Sequence, residues 1–414
     1  MKEIKENIIS AKAVNLLIVV SALGFFVDIY DIMTLGAVGE VSLKSIGIID
    51  KAEMEKNITF LLNLQMLGML IGGFIWGIIG DKYGRLSVLF GSITIYTIFT
   101  FLNAFVHDTT QYSICRFFGG IGLAGELGAG ITLVSEQMKK EKRGMGPAII
   151  AGFGVLGAIA AVFVSKWFDW RTVYIFGAVL GFLLLLFRFG VVESGMYTKA
   201  KGINVVRGSF GIILRNKKNI KKFICILLVG IPGWYANGVL IQLTPYIADS
   251  FGMFPIPSKG IVIIYFFISL AVGDILGGFI SQRLNSRKKS IYLFLYFNLL
   301  MLILYFTVAK TSVQLYYIIF AGLGLSVGFA IQLFTLAAEN FGTNIRTLVT
   351  SSSMNLVRAW VIPCTLVYSW LNNDLGIIKW QSAAIVGFTA TIIALFAMTQ
   401  LDETINNDLE FVNE

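Results

Sequence analysis

Charge is scarce in this chain. Only 14% of its 414 residues are Asp, Glu, Lys or Arg, against about 25% in an ordinary soluble domain. So few ionised side chains cannot cover the surface of a water-soluble protein of this length, which excludes a soluble enzyme. One histidine, His107, excludes a zinc site built on paired histidines. The three cysteines, Cys115, Cys225 and Cys364, fall in apolar runs without paired spacing and give neither a disulfide framework nor a metal site. Prolines number only six, so long helices are seldom interrupted.

Apolar residues fill the space that charge leaves. They make up 56% of the chain, mean hydropathy is +0.78, and there are 43 glycines. Glycine is frequent in membrane helices because it lets neighbouring backbones approach closely. A helix needs about 20 mostly apolar residues to cross the hydrocarbon core. That ruler predicts twelve spans: 13–38, 57–80, 86–106, 112–136, 144–165, 170–191, 222–246, 259–282, 289–309, 313–337, 345–370 and 380–400. Barrel strands are about half as long and alternate in polarity, so the expectation is an all-α membrane protein. The first span carries Asp28 and Asp31 and no small-residue cleavage site follows it, so it reads as a permanent helix rather than a signal peptide.

Most of the 33 lysines and arginines fall in alternate connections. Among them are Lys82 and Arg85, Lys139 to Arg143, Arg188 to Lys222, and Arg283 to Lys289. By the positive-inside rule these connections and both termini are cytoplasmic. The net charge of +9 is thereby spread over loops instead of being gathered on one face, which argues against nucleic acid.

The longest connection divides the chain into a first bundle at 1–191, a linker at 192–221, a second bundle at 222–400 and an acidic tail at 401–414. Gly72-Gly73-Phe74-Ile75 closes span 2, and Gly277-Gly278-Phe279-Ile280 closes span 8 about half the chain later. Glu136 stands before Arg143 at the same spacing as Glu339 before Arg346. Two matches at nearly one offset indicate duplication, and paired repeats with a site between them are a transporter architecture.

Between spans 2 and 3 the chain reads Gly77-Ile78-Ile79-Gly80-Asp81-Lys82-Tyr83-Gly84-Arg85. This resembles the G-x-x-x-D-x-x-G-R signature of the major facilitator superfamily. Arg116 with Gly120 and Gly122, Glu136 to Arg143-Gly144, and Trp170-Arg171 resemble further elements of its metabolite:proton symporters and sugar porters. Glu193-Ser194 lacks the prolines and arginine of the family's P-E-S-P-R element, and Lys139 replaces a usual proline. The resemblance implies two pseudo-symmetric six-helix bundles that rock about a central cavity. It also implies a cytoplasmic gate made of Gly77, Asp81, Gly84, Arg85, Glu136, Arg143, Glu339 and Arg346. Asp81, read as opening span 3, would latch onto the start of span 11.

Ionisable residues inside spans are functional candidates by default. Asp28 and Asp31 share a helix face beside Tyr30, and two carboxylates so close in a poorly hydrated helix do not both ionise easily. With Glu126 and Asp274 they are the proton-coupling candidates; a structural pairing of one aspartate with Arg116 is the alternative. Arg116 and Arg358, one from each half, are candidates for a joint clamp on a carboxylate. Tyr30, Gln65, Trp234, Asn237, Gln242, Gln332, Asn355 and Trp360 complete the candidate cavity lining. The expected activity is proton-coupled symport of an organic acid or amino acid by a monomer in a bacterial cytoplasmic membrane. No cofactor or metal is called for. A family antiporter element would place proline after Gly157, and Ala158 stands there. An exporter of a drug or carboxylate siderophore, and a receptor that binds without transporting, remain open alternatives.

Overall fold

Capped and glycine-broken helices account for nearly all of the described chain, and no strand occurs among the described residues. The computed structural model describes residues 11–126, 130, 150, 152–190, 211, 215–341 and 346–404. Glu136 and Arg143 therefore lie outside the described residues, as does most of the expected linker and tail. Eight helices among the described residues are each long and apolar enough to cross a bilayer. Among the described residues, spans 4, 5, 10 and 11 are represented by shorter helices.

Several helix starts follow from capping at the connections. Asp50 accepts from the Glu53 amide at 2.9 Å and starts span 2 at Lys51. Asp108 does the same for the Gln111 amide at 2.8 Å and starts span 4 at Thr109. Asp169 caps span 6, which runs Trp170–Phe187. Each carboxylate satisfies amides that have no partner in the first turn. Spans 1 and 2 run longer than expected, Ala11–Ser45 and Lys51–Tyr83, because helix continues through the interface once the apolar run has ended.

Gly84 closes span 2 at φ +97°, a conformation that favours glycine, and span 3 begins at the next residue and runs Arg85–Asn103. Asp81 thus lies in the last turn of span 2, and its assignment to the start of span 3 is corrected. The side chains of Asp81, Arg85 and Arg346 lie outside the described residues. In the matching second-half turn Asn285 takes a positive φ of 45°, asparagine being the side chain that tolerates this region best.

Span 7 is broken, contrary to the continuous helix expected. It runs Lys217–Val229, Ile231–Tyr235, a π-helical Ala236–Ile241, and Thr244–Ser250. Gly230, Pro232 and Pro245 stand at the joints, where glycine loosens the backbone and proline removes a donor. Span 10 likewise divides into Val313–Ser326 and Ala330–Asn340, and span 11 into Arg346–Arg358 and Val361–Asn373. Span 8 runs Lys259–Arg283, span 9 Arg287–Thr307 and span 12 Lys379–Thr399.

The duplication is visible in packing. Span 2 lies along span 4 and span 8 along span 10. A Cβ on Gly72 would sit 2.7 Å from the Ile121 carbonyl oxygen, and one on Gly277 would sit 2.6 Å from that of Gly328. The two halves meet where span 2 touches span 11 and span 5 touches span 8. With an even number of crossings the start of span 1 and the end of span 12 share one face, here called the termini face; the connections 46–50 and 374–378 mark the opposite loop face.

At the termini face Glu403 accepts from the Arg287 and Lys288 amides at 2.9 and 3.2 Å and from the Ser286 hydroxyl, tying the stretch after span 12 to the start of span 9. Burial pushes its carboxyl up, but these hydrogen bonds and that from the Thr404 amide outweigh burial and hold it below its usual 4.5. Thr404 in turn donates to Glu339 at 2.6 Å, and Arg287 pairs with Glu339 at 3.3 Å.

Candidate functional site

Asp28 and Arg358 stand at the middles of spans 1 and 11. The Arg358 guanidinium donates to Asp28 Oδ2 at 2.7 Å, both residues are buried, and the bond joins the two halves. It is incomplete: Asp28 Oδ1 and Arg358 Nη1 are buried without a hydrogen-bond partner. Trp234, from the broken span 7, lies under the guanidinium at 5.7 Å, within cation–π range.

One turn along span 1, Asp31 makes a separate network. Arg116 of span 4 pairs with it at 3.2 Å, Gln65 of span 2 donates at 2.9 Å, and Thr100 of span 3 donates at 3.3 Å. Gln65 also accepts from Arg116, which lies 5.8 Å from the Tyr174 ring. Four helices of the first half therefore converge on Asp31. The shared clamp expected of the two arginines is not formed; each holds its own aspartate, Arg116 in the structural pairing named as the alternative, because an unpaired charge at this depth is costly.

Glu126 has a partner that the charge reading misplaced. Arg188, counted among cytoplasmic charges, is buried and forms a two-pronged pair with Glu126, one prong at 3.0 Å. Ser92 adds a hydrogen bond to Glu126 at 2.7 Å, and Arg188 also reaches the Leu89 carbonyl. The signal was present: Arg188 lies between Phe187 and Phe189, inside the apolar run of span 6.

The polar candidates divide. Tyr30 donates to the Val173 carbonyl at 2.9 Å and is a packing residue, contrary to its place among cavity candidates. Asn355 donates to the Ala124 carbonyl at 3.0 Å and packs on Gly73, joining span 11 to spans 4 and 2. Gln242 and Gln332 are buried, and neither amide atom of either has a hydrogen-bond partner. Asn237 is buried on span 7, Trp360 is half-buried at the joint of span 11, and Asp274 is half-buried on span 8. Gly77 faces open space.

A second cross-half cluster, missed in the sequence because its charges sit at helix starts, lies at the loop face. Glu55 of span 2 binds Lys379 of span 12 and accepts from the Tyr368 hydroxyl of span 11 at 3.0 Å. Lys379 lies 5.4 Å from the Tyr246 ring of span 7. Thr365 donates to Asn63 at 2.7 Å, and Lys51 and Asp249 pair at 3.8 Å on the surface. These contacts bring the halves together at that face.

The Major Facilitator Superfamily profile matches residues 16–363. The sialic acid transporter NanX of Escherichia coli is 24% identical over 386 residues, which cover 90% of this chain and 91% of that protein. Among solved structures, the E. coli xylose transporter XylE in a partially occluded inward-open conformation superposes with a TM-score of 0.73 at 16% identity, covering 96% of this chain and all of that one. The proton:xylose symporter XylE bound to 6-bromo-6-deoxy-D-glucose gives 0.71 at the same identity, covering 97% and 98%.

Proposed function

The chain belongs to the major facilitator superfamily, and we propose that it works as a proton-coupled symporter of a small anionic or zwitterionic metabolite in a bacterial cytoplasmic membrane. It is a multi-pass transporter of metabolites and not an enzyme. Placing both termini in the cytoplasm makes the loop face external, so the Glu55 cluster closes the outer side in this conformation.

One observation carries the reading: a buried ion pair, Asp28–Arg358, joins the halves and leaves an acceptor and a donor unused. Protonating Asp28 removes its charge and releases Arg358. A substrate carboxylate then takes the guanidinium in place of Asp28, with bidentate geometry available to it. Proton and anion thus enter together, and neither leaves a buried charge unpaired. NanX, named for an acid, is a relative compatible with such a substrate. The Asp31–Arg116 network holds span 1 on the rest of the first half, so Asp28 moves with that half.

A thermal-shift screen of the purified monomer against organic acids, amino acids and sugars should identify a stabilising acid through linkage. With that ligand, liposomes carrying the protein should acidify internally as uptake begins. Ligand binding without flux would indicate a receptor, and proton movement opposite to the ligand an exporter.

A further inference from the structure

On the lipid-facing side of the second half a groove of about 680 Å³ runs between spans 9 and 12. Lys289 stands at its termini-face end, and Tyr292, Leu293, Tyr296, Ile392 and Phe396 line it. The rings of Tyr292 and Tyr296 stack at 6.2 Å. Leu293, Tyr296, Ile392 and Phe396 are all more than half exposed. From Lys289 to Tyr296, and from Thr399 back to Ile392, the helices each rise about 10 Å, the depth of the first carbons of an acyl chain below its headgroup.

The first half carries a ring at the equivalent place. Trp170 and Trp380 stand at matching places at the starts of spans 6 and 12, and counting equally from each makes Phe189 the counterpart of Thr399. Phe189 packs on Phe90 of span 3 at 5.5 Å. Thr399 has no ring to do the same, and the groove stays open. Basic residues outnumber acids round its mouth: Lys288 binds the Leu401 carbonyl, Lys221 donates to Gln400 at 2.8 Å, and Lys222 pairs with Asp402 at 3.2 Å, while Glu403 is held by the Arg287 and Lys288 amides.

We propose that this groove binds an anionic glycerophospholipid, its phosphate held by Lys289 and one acyl chain lying against the stacked tyrosines and Phe396. The charge at the mouth selects the headgroup, and the depth of the apolar wall suits the chain. A basic side chain near the bilayer surface favours an acidic lipid by about fivefold, and the Lys289 stem is long enough to snorkel to the headgroup level.

The test is native mass spectrometry of the full-length protein titrated with phosphatidylglycerol or phosphatidylcholine. Wild type should retain phosphatidylglycerol about fivefold better. Lys289→Gln should bring the two lipids to parity while Lys289→Arg keeps the preference. Thr399→Phe should fill the groove and lower retention of both lipids. An unchanged preference in Lys289→Gln, or unchanged retention in Thr399→Phe, overturns the proposal. The readout is lipid retention, so it stands or falls separately from transport.

Discussion

Two buried arginine–carboxylate pairs of the same chemistry sit in different mechanical settings. Glu126–Arg188 lies wholly within the first half and is surrounded by further donors and acceptors from span 3. Asp28–Arg358 spans the two halves and keeps one acceptor and one donor unused. A pair inside one rigid body never has to open and serves as a fixture: both Glu126 carboxylate oxygens are engaged, and only Arg188 Nε is left without a partner. On the proposed mechanism, a pair between bodies that rock exchanges partners, and its unused atoms are where a substrate or proton would find purchase. Burial alone does not distinguish a working charge from a structural one; the bodies that it joins do.

The sharpest way to break this contrast is to remove one partner from the inner pair. Arg188→Ala leaves Glu126 buried and unpaired, and should cost about 3–5 kcal/mol of folding stability, seen as loss of monodisperse protein and a lowered melting temperature. The double substitution Glu126→Leu with Arg188→Met should recover most of the folded protein, since apolar replacement of a whole buried pair is often neutral. Good yield and wild-type melting of Arg188→Ala would remove the contrast.

At the cross-half pair the effect should fall on transport instead. Arg358→Gln should keep folded protein and raise the apparent Michaelis constant for the acid about tenfold or more, the loss of a charge-assisted bidentate contact. If Arg358→Gln instead abolishes folded protein, the pair is a fixture like its counterpart.

The loop-face cluster should give a smaller change. Lys379 is partly exposed although Glu55 is buried, and a pair reached by solvent from one side contributes about 1 kcal/mol. Lys379→Gln should therefore shift the population toward outer-side opening by at most about fivefold, measured as faster cysteine labelling at Asn63→Cys. Labelling at the wild-type rate would leave the cluster without a gating role.

The smallest effect expected is on pH dependence at the termini face. Glu403 is held below its usual 4.5, so its contribution is present above that pH and is lost as pH falls through the lower folded value. Amide exchange at Arg287 and Lys288, which donate to it, should rise below pH 4.5 in wild type and be raised at neutral pH in Glu403→Gln. Equal protection in both proteins would show that the carboxylate does not hold the stretch after span 12.

Apolar run length made the helical class and the twelve crossings legible, because only residue hydrophobicity decides what enters lipid. The repeat was legible at Gly72 and Gly277, where close backbone approach admits nothing larger. Asp28, Asp31, Glu126, Arg116 and Arg358 were found because charge is conspicuous in apolar surroundings. Apart from the pairing of one aspartate with Arg116, which stood as an alternative, who pairs with whom was not legible. Partner choice depends on helix rotation and on breaks such as those at Gly230 and Pro245, which sequence periodicity does not locate in space. Arg188 shows the limit: the charge rule assigned it to water, while its flanking phenylalanines placed it in the helix. Glu55 and Lys379 escaped notice because at a helix start a charge ordinarily meets solvent, and only tertiary structure brings the two starts together.

The most direct test follows a pH dye inside liposomes when the acid found by the thermal-shift screen is added. The account predicts that wild-type vesicles acidify as uptake proceeds, and that Asp28→Asn exchanges labelled for unlabelled acid without acidifying. Acidification by Asp28→Asn at the wild-type rate would contradict it.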